Sequence, residues 1–311
     1  MDVRQQVLSY YFDNFDSLPV GKQIHFSTRM ALWLGSDEAR AKLKKLAPHI
    51  IPTPLTDDRL TAQFTELLGL TFTNTINAAE LRAPFLLKYP EVRSLESALF
   101  RLHSLRVFFG IDARDAFMQA CSIEQLRDLE KRLLQDDQAL RMLSTYSLNC
   151  IYLIHTALLG DIDIDQQHIL DLHTGYNTSD PQQLQLLIYL YTHSIICESH
   201  FYSQRIPSER LDICRQMLAI LELHITENFA HIHLDNKLEF LVCCQICSYE
   251  TPLAGRINDE CNESLSTEGS FIIDRHNHNK QHSKQDFAGS EHRNALFIMS
   301  GSAFTPHPVQ I

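Results

Sequence analysis

Glycine and proline are both scarce in this sequence, at 10 and 11 of 311 residues. A sandwich or barrel of short strands needs turn residues roughly every 8–12 positions, so their scarcity argues for helices instead. Basic charge is in deficit too: 27 Lys and Arg face 38 Asp and Glu, for a formal charge of −11. That balance argues against a nucleic-acid partner or a function at anionic lipid heads. The densest basic cluster, Lys42-Leu43-Lys44-Lys45, reads as the solvated last turn of a helix. No apolar run approaches the ~20 residues that span a bilayer, so no membrane insertion is expected. Residues 1–6 lack the basic and then apolar run of a secretory signal, which makes the cytoplasm the expected location. The eight cysteines follow no disulfide spacing, and several, such as Cys150 and Cys197, sit in apolar runs as reduced, buried thiols do.

What is present is helical patterning. Residues 146–159, 184–197 and 238–247 are apolar on nearly every side, the mark of helices surrounded by other helices. Between them lie amphipathic stretches, 123–142 and 211–229, the first opened by a Ser122/Gln125 capping box. Asp180-Pro181 supplies an N-cap and a first-turn proline. Gly35, Gly110 and Gly160 each end a buried-looking segment with an acid soon after, and Gly69 is a candidate fourth stop. This recurring stop predicts an all-α fold of helical hairpins in one domain over 1–311. A closed α/α toroid of six or seven hairpins fits, with an open α-helical solenoid as the alternative. Residues 250–289 are polar and read as a long loop, and 305–311 as a frayed tail.

Each candidate inner helix carries a histidine or an acid: His25, His103, His155, His193, Glu239 and His292. If these face a shared cavity they could act as general acids and bases, since histidine titrates near neutrality. Two rows have metal-ligand spacing on a helix, His193-Cys197-His200 and Glu239-Cys243-Cys247, although neither has the C-x-x-C pairs of a zinc site. A C-terminal cluster adds Asp274, His276, His278, His282, Asp286, Glu291 and His292. The alternating acids Asp161, Asp163 and Asp165 lack the glycine and glutamate of a calcium loop. Phosphate-loop, dinucleotide-binding, nucleophile-elbow and His-Glu-x-x-His motifs are absent.

Residues 191–196 (Tyr-Thr-His-Ser-Ile-Ile) through Phe201-Tyr202, with Glu239, Gly269, Asp274 and His292, resemble an uncharacterised bacterial helical family. Over 184–300 the chain is similar to the six-hairpin α/α toroid superfamily, which includes terpenoid-cyclase and lanthionine-cyclase relatives. The resemblance implies a toroid whose late acid and histidine positions line the cavity, favouring Asp274 and His292. The chain departs from both enzyme groups: it has one tryptophan, Trp33, and no histidine beside Cys243-Cys244. The expected catalytic or binding residues are therefore His193, His292, Asp274 and Glu239. They would bind or modify a small molecule or peptide without a required cofactor, zinc being the one candidate. A noncatalytic scaffold for another protein is the alternative.

Overall fold

The computed structural model describes residues 2–71, 79–160, 164–266, 268–275 and 285–309. Among these residues the chain is all-helical, with sixteen α-helices and no strand; a single antiparallel bridge joins Leu265 and Ile272. Where the sequence reads as one domain, the chain divides into two compact units, Met1–Leu46 with Tyr202–Pro308 and Ala47–Phe201 with Val309–Ile311. Unit 1 opens with α1 (Val3–Asp13), α2 (Val20–Leu34) and α3 (Asp37–Leu46). Unit 2 follows as α4 (Asp57–Leu68), α5 (Ala79–Lys88), α6 (Val92–Phe109), α7 (Arg114–Ala120), α8 (Ile123–Leu134), α9 (Asp137–Leu143), α10 (Thr145–Ile154), α11 (Gln166–Asp171) and α12 (Pro181–Glu198). The chain returns to unit 1 as α13 (Ser208–Asn228), α14 (Leu234–Cys247), α15 (Leu253–Glu263) and α16 (Glu291–Ser300).

In unit 1, α16 packs against α1, α2 and α14. Nine of its ten residues are buried, from Glu291 to Ser300 with His292 the exception, so it is enclosed on every side. An aromatic stack of Phe26, Tyr11 and Phe287, with ring centres 5.1 and 4.6 Å apart, fills the space between α1, α2 and the approach to α16. Asn294 accepts the amide of Ile272 at 2.7 Å and donates to its carbonyl at 3.0 Å, which pins the preceding segment to α16. The long polar loop expected over 250–289 is corrected here, because α15 occupies part of it. Its buried side is narrow, Leu253, Ile257, Glu260 and Cys261, and the polar residues around that stripe hid the helix. Within the tail expected to be frayed, the His307 amide donates to the Leu32 carbonyl at 3.0 Å, which holds the chain at that point.

In unit 2, α10 packs between α6 and α12; α10 buries eight of its ten residues and α12 thirteen of its eighteen, in keeping with their apolar sequence. The amphipathic stretch 123–142 is two helices, not one. The Ser122/Gln125 capping box starts α8 as expected, and Asp136 starts α9 by accepting the Ala139 amide. The apolar spacing runs through that break, which conceals it in the sequence. Gly35 and Gly110 adopt left-handed φ of 62° and 63° at helix ends, where a side chain would be strained. Gly160, at φ 99°, closes a wider turn, its amide reaching back to the His155 carbonyl at 2.7 Å. Gly69 is right-handed, at φ −81°, so it is not a fourth copy of the stop. After α12 three non-glycine residues, His200, Phe201 and Tyr202, have φ of 49°, 54° and 71°. Such conformations cost about 1–2 kcal/mol per residue. An edge-to-face contact of Phe201 with Phe100, 4.9 Å between ring centres, offsets part of that cost within unit 2.

Candidate functional site

Unit 1 gathers the polar residues that hydrophobic packing alone does not call for. Lys22, His25 and Arg29 follow one another at i, i+3 and i+7 along one face of α2. Opposite them α16 begins with Glu291-His292. Glu291 is fully buried, and its Oε1 lies 2.6 Å from His25 Nδ1 while Lys22 Nζ stands 3.3 Å from Oε2. His25 Nε2 in turn is 3.4 Å from His292 Nδ1. An ionised carboxylate only accepts, so its contact assigns the proton of His25 to Nδ1 and leaves a lone pair on Nε2. That lone pair accepts from His292 Nδ1–H, which places the free lone pair of the chain on His292 Nε2. The His25 side chain is 25% exposed, so the site opens to solvent.

Burial and the Arg29 charge together keep both rings neutral at neutral pH. Burial and then the Arg29 guanidinium push His25 down to about 3, against the opposing pull of Glu291. Burial and Arg29 lower His292 as well, while Glu239, Asp235 and Glu291 draw it the other way. Burial would raise Glu291, but His25, Lys22 and His292 outweigh it and hold the carboxyl at about 2. Arg29 is the common influence on both imidazoles. It donates to the His25 carbonyl at 3.4 Å, and its buried Nε has no hydrogen-bond partner.

The four residues expected from sequence separate. His292 lies in this chain of contacts, and Glu239 on α14 reaches it through its charge. Asp274 belongs to the start of α14, where it stands 3.7 Å from His233 Nδ1 and accepts the Leu234 amide. A carboxylate there completes the first turn of the helix. His193 belongs to unit 2, where its Nδ1 lies 3.1 Å from Asn149 Oδ1. Asn149 also donates to Glu96 Oε1 at 2.7 Å, and burial raises Glu96 to about 7 against Asn149, Arg93 and Arg82. The other inner histidines of unit 2 have different neighbours. His155 pairs with Glu130, and His103 packs on Phe201 with burial, His200 and Arg106 pushing it down to about 4. Within the row of six, His25 and His292 are in contact. Lys22, Arg29 and the partnership of His25 with Glu291 were missed, because 266 residues separate those partners.

The metal rows fare differently from the imidazole pair. α12 ends at Glu198, and His200 has turned to φ 49°, so His193, Cys197 and His200 do not share a helical face. Cys197 is pushed well up by burial and by Glu198 and Glu96. Raised thiols hold the proton that a metal must displace. No group of three His, Cys, Asp or Glu among the described residues is placed to hold a metal ion. His276, His278, His282, Asp161 and Asp163 lie outside the described residues. Among the described residues no single helix is long and apolar enough to cross a membrane. No family model, curated protein or solved structure matches this chain.

Proposed function

We propose that the protein binds and modifies a small anionic molecule by general acid–base chemistry, with His292 as the proton acceptor and the Glu291–His25 pair orienting it. The observation that carries this reading is the sequence of contacts Glu291–His25–His292, a carboxylate and two imidazoles in hydrogen-bonding succession. His292 Nε2 takes the substrate proton, and the resulting imidazolium is stabilised by the charges of Glu239, Asp235 and Glu291. Arg29 sets when this happens. An anionic group paired with its guanidinium offsets the positive charge that depresses both rings, so substrate binding raises the basicity of His292. The unpartnered Nε of Arg29 is available for that bond.

The reading places the protein in the cytoplasm and retains the α/α toroid as the proposed arrangement of hairpins, supported by the glycine stops at Gly35 and Gly110. It needs no cofactor. The scaffold alternative has one observation in its favour, a groove of about 420 Å³ in unit 2, floored by Leu95, Leu126 and Leu129 and rimmed by Glu91, Asp128 and Arg132.

The test is a library of small carboxylates and phosphate esters incubated with the protein in deuterated water and read by mass. Deuterium uptake or conversion by the native chain, lost in folded His292→Gln, is the expected result. A native chain that alters no member, or a variant as active as the native chain, overturns the assignment.

A further inference from the structure

Unit 2 contains a second group of polar residues that the general-base site does not use. Arg82 on α5 is buried, at 3% exposure, and its Nε donates to the Met142 carbonyl at 3.3 Å. Its Nη2 is buried and has no hydrogen-bond partner. A charged donor left unpaired in a packed interior is costly, so its place there calls for an acceptor. The guanidinium lies over two rings, 4.9 Å from the centre of Tyr146 and 5.7 Å from Tyr189. Arg93, on α6, approaches the same Tyr146 ring at 5.2 Å. Two cations thus share one aromatic platform.

The acid that acts on both is Glu96, whose carboxyl is already bonded to Asn149. Burial raises that carboxyl to about 7, so near neutrality it offsets only part of the paired positive charge. The groups facing Glu96 are Arg82 from α5, Arg93 from its own helix, Tyr146, Asn149 and Cys150 from α10, and Cys197 from α12; none of them supplies a negative charge at neutral pH. Arg93, Glu96, Tyr146 and Tyr189 are each partly exposed, so the platform can be reached from solvent.

We infer that Arg82 and Arg93, on the Tyr146 and Tyr189 rings, form a binding site for the oxyanion group of a small molecule, a carboxylate or a phosphate. A planar guanidinium fork matches either group with two parallel hydrogen bonds, and the rings favour a flat body beside the charge. The site belongs to unit 2 and stands whether or not unit 1 performs acid–base chemistry.

The experiment titrates the full chain with benzoate and with inorganic phosphate, followed calorimetrically at pH 7. Saturable binding of at least one probe is expected, weakened at least tenfold in Arg93→Gln and in Arg82→Gln. Binding of benzoate alone assigns a carboxylate, and binding of phosphate alone a phosphoryl group. Arg82 is buried, so if Arg82→Gln does not fold, the partly exposed Arg93→Gln decides. Absence of saturable binding by the native chain, or undiminished binding by folded Arg93→Gln, overturns the inference.

Discussion

Replacing Glu291 with glutamine keeps the shape of the side chain and removes its charge, which isolates what that charge does. In the native chain Glu291 accepts from His25 Nδ1 at 2.6 Å, pairs with Lys22 at 3.3 Å and opens the first turn of α16. A charge-assisted hydrogen bond exceeds a neutral one by about 1–2 kcal/mol, and a carboxylate at a helix N-terminus adds ~0.3–1 kcal/mol. Lys22 is 38% exposed and regains water, so its loss adds little. The sum, about 2 kcal/mol, lowers the melting temperature of unit 1 by roughly 4–8 °C. Its pH dependence follows from the carboxyl itself. The folded value of about 2 lies below the ordinary 4.5, so the contribution is complete above pH 4.5 and disappears as pH falls through 2. Urea unfolding of Glu291→Gln beside the native chain, at intervals from pH 7 to pH 2.5, reads both effects. The gap between them should be about 2 kcal/mol at pH 7 and shrink steadily below pH 4.5. A gap of zero at pH 7, or one that widens in acid, refutes the charge-based reasoning.

Four further changes test the packing and capping of the helices. Glu260→Gln leaves Lys237, 2% exposed and 2.6 Å from the lost carboxylate, buried without its counter-charge; a loss of about 3–5 kcal/mol should appear in denaturant unfolding. Gly110→Ala meets no atom within 4 Å, so its cost is the left-handed backbone alone, about 1 kcal/mol, whereas Gly35→Ala also brings Cβ to 2.8 Å from His307 Nδ1 and should melt lower. Ser122→Ala removes half of the α8 capping box and should cost ~1 kcal/mol, measurable as a shifted urea midpoint with unchanged slope.

The helices were legible because their signals are local. Scarce glycine and proline, the Ser122 capping box, and the stops at Gly35 and Gly110 each depend on residues a turn apart. α15 was not, since four buried residues among Asn, Glu, Asp and Arg resemble a polar loop until something packs on that stripe. Neither was the break at Asp136, because apolar spacing continues across it. His292 and Glu239 could be singled out as polar residues on apolar helices, and they do act on one another. The partner that gives His292 a role is His25, and a contact spanning 267 residues leaves no trace in one sequence. Asp274 attracted attention by its place in a polar, histidine-rich segment, yet its contacts are those of a helix cap. His193 sits on an apolar helix as expected, but its partner is Asn149, which carries no charge to betray it.

The protonation state of His25 tests the central claim most directly. Long-range nitrogen–proton NMR of the native protein, titrated from pH 8 to pH 3.5, reports the tautomer and charge of each imidazole. His25 should carry its proton on Nδ1 and stay neutral through pH 5, because burial and Arg29 hold it far below 6.5. A ring protonated on Nε2, or one that gains its second proton near pH 6.5, would contradict the Glu291–His25–His292 chain.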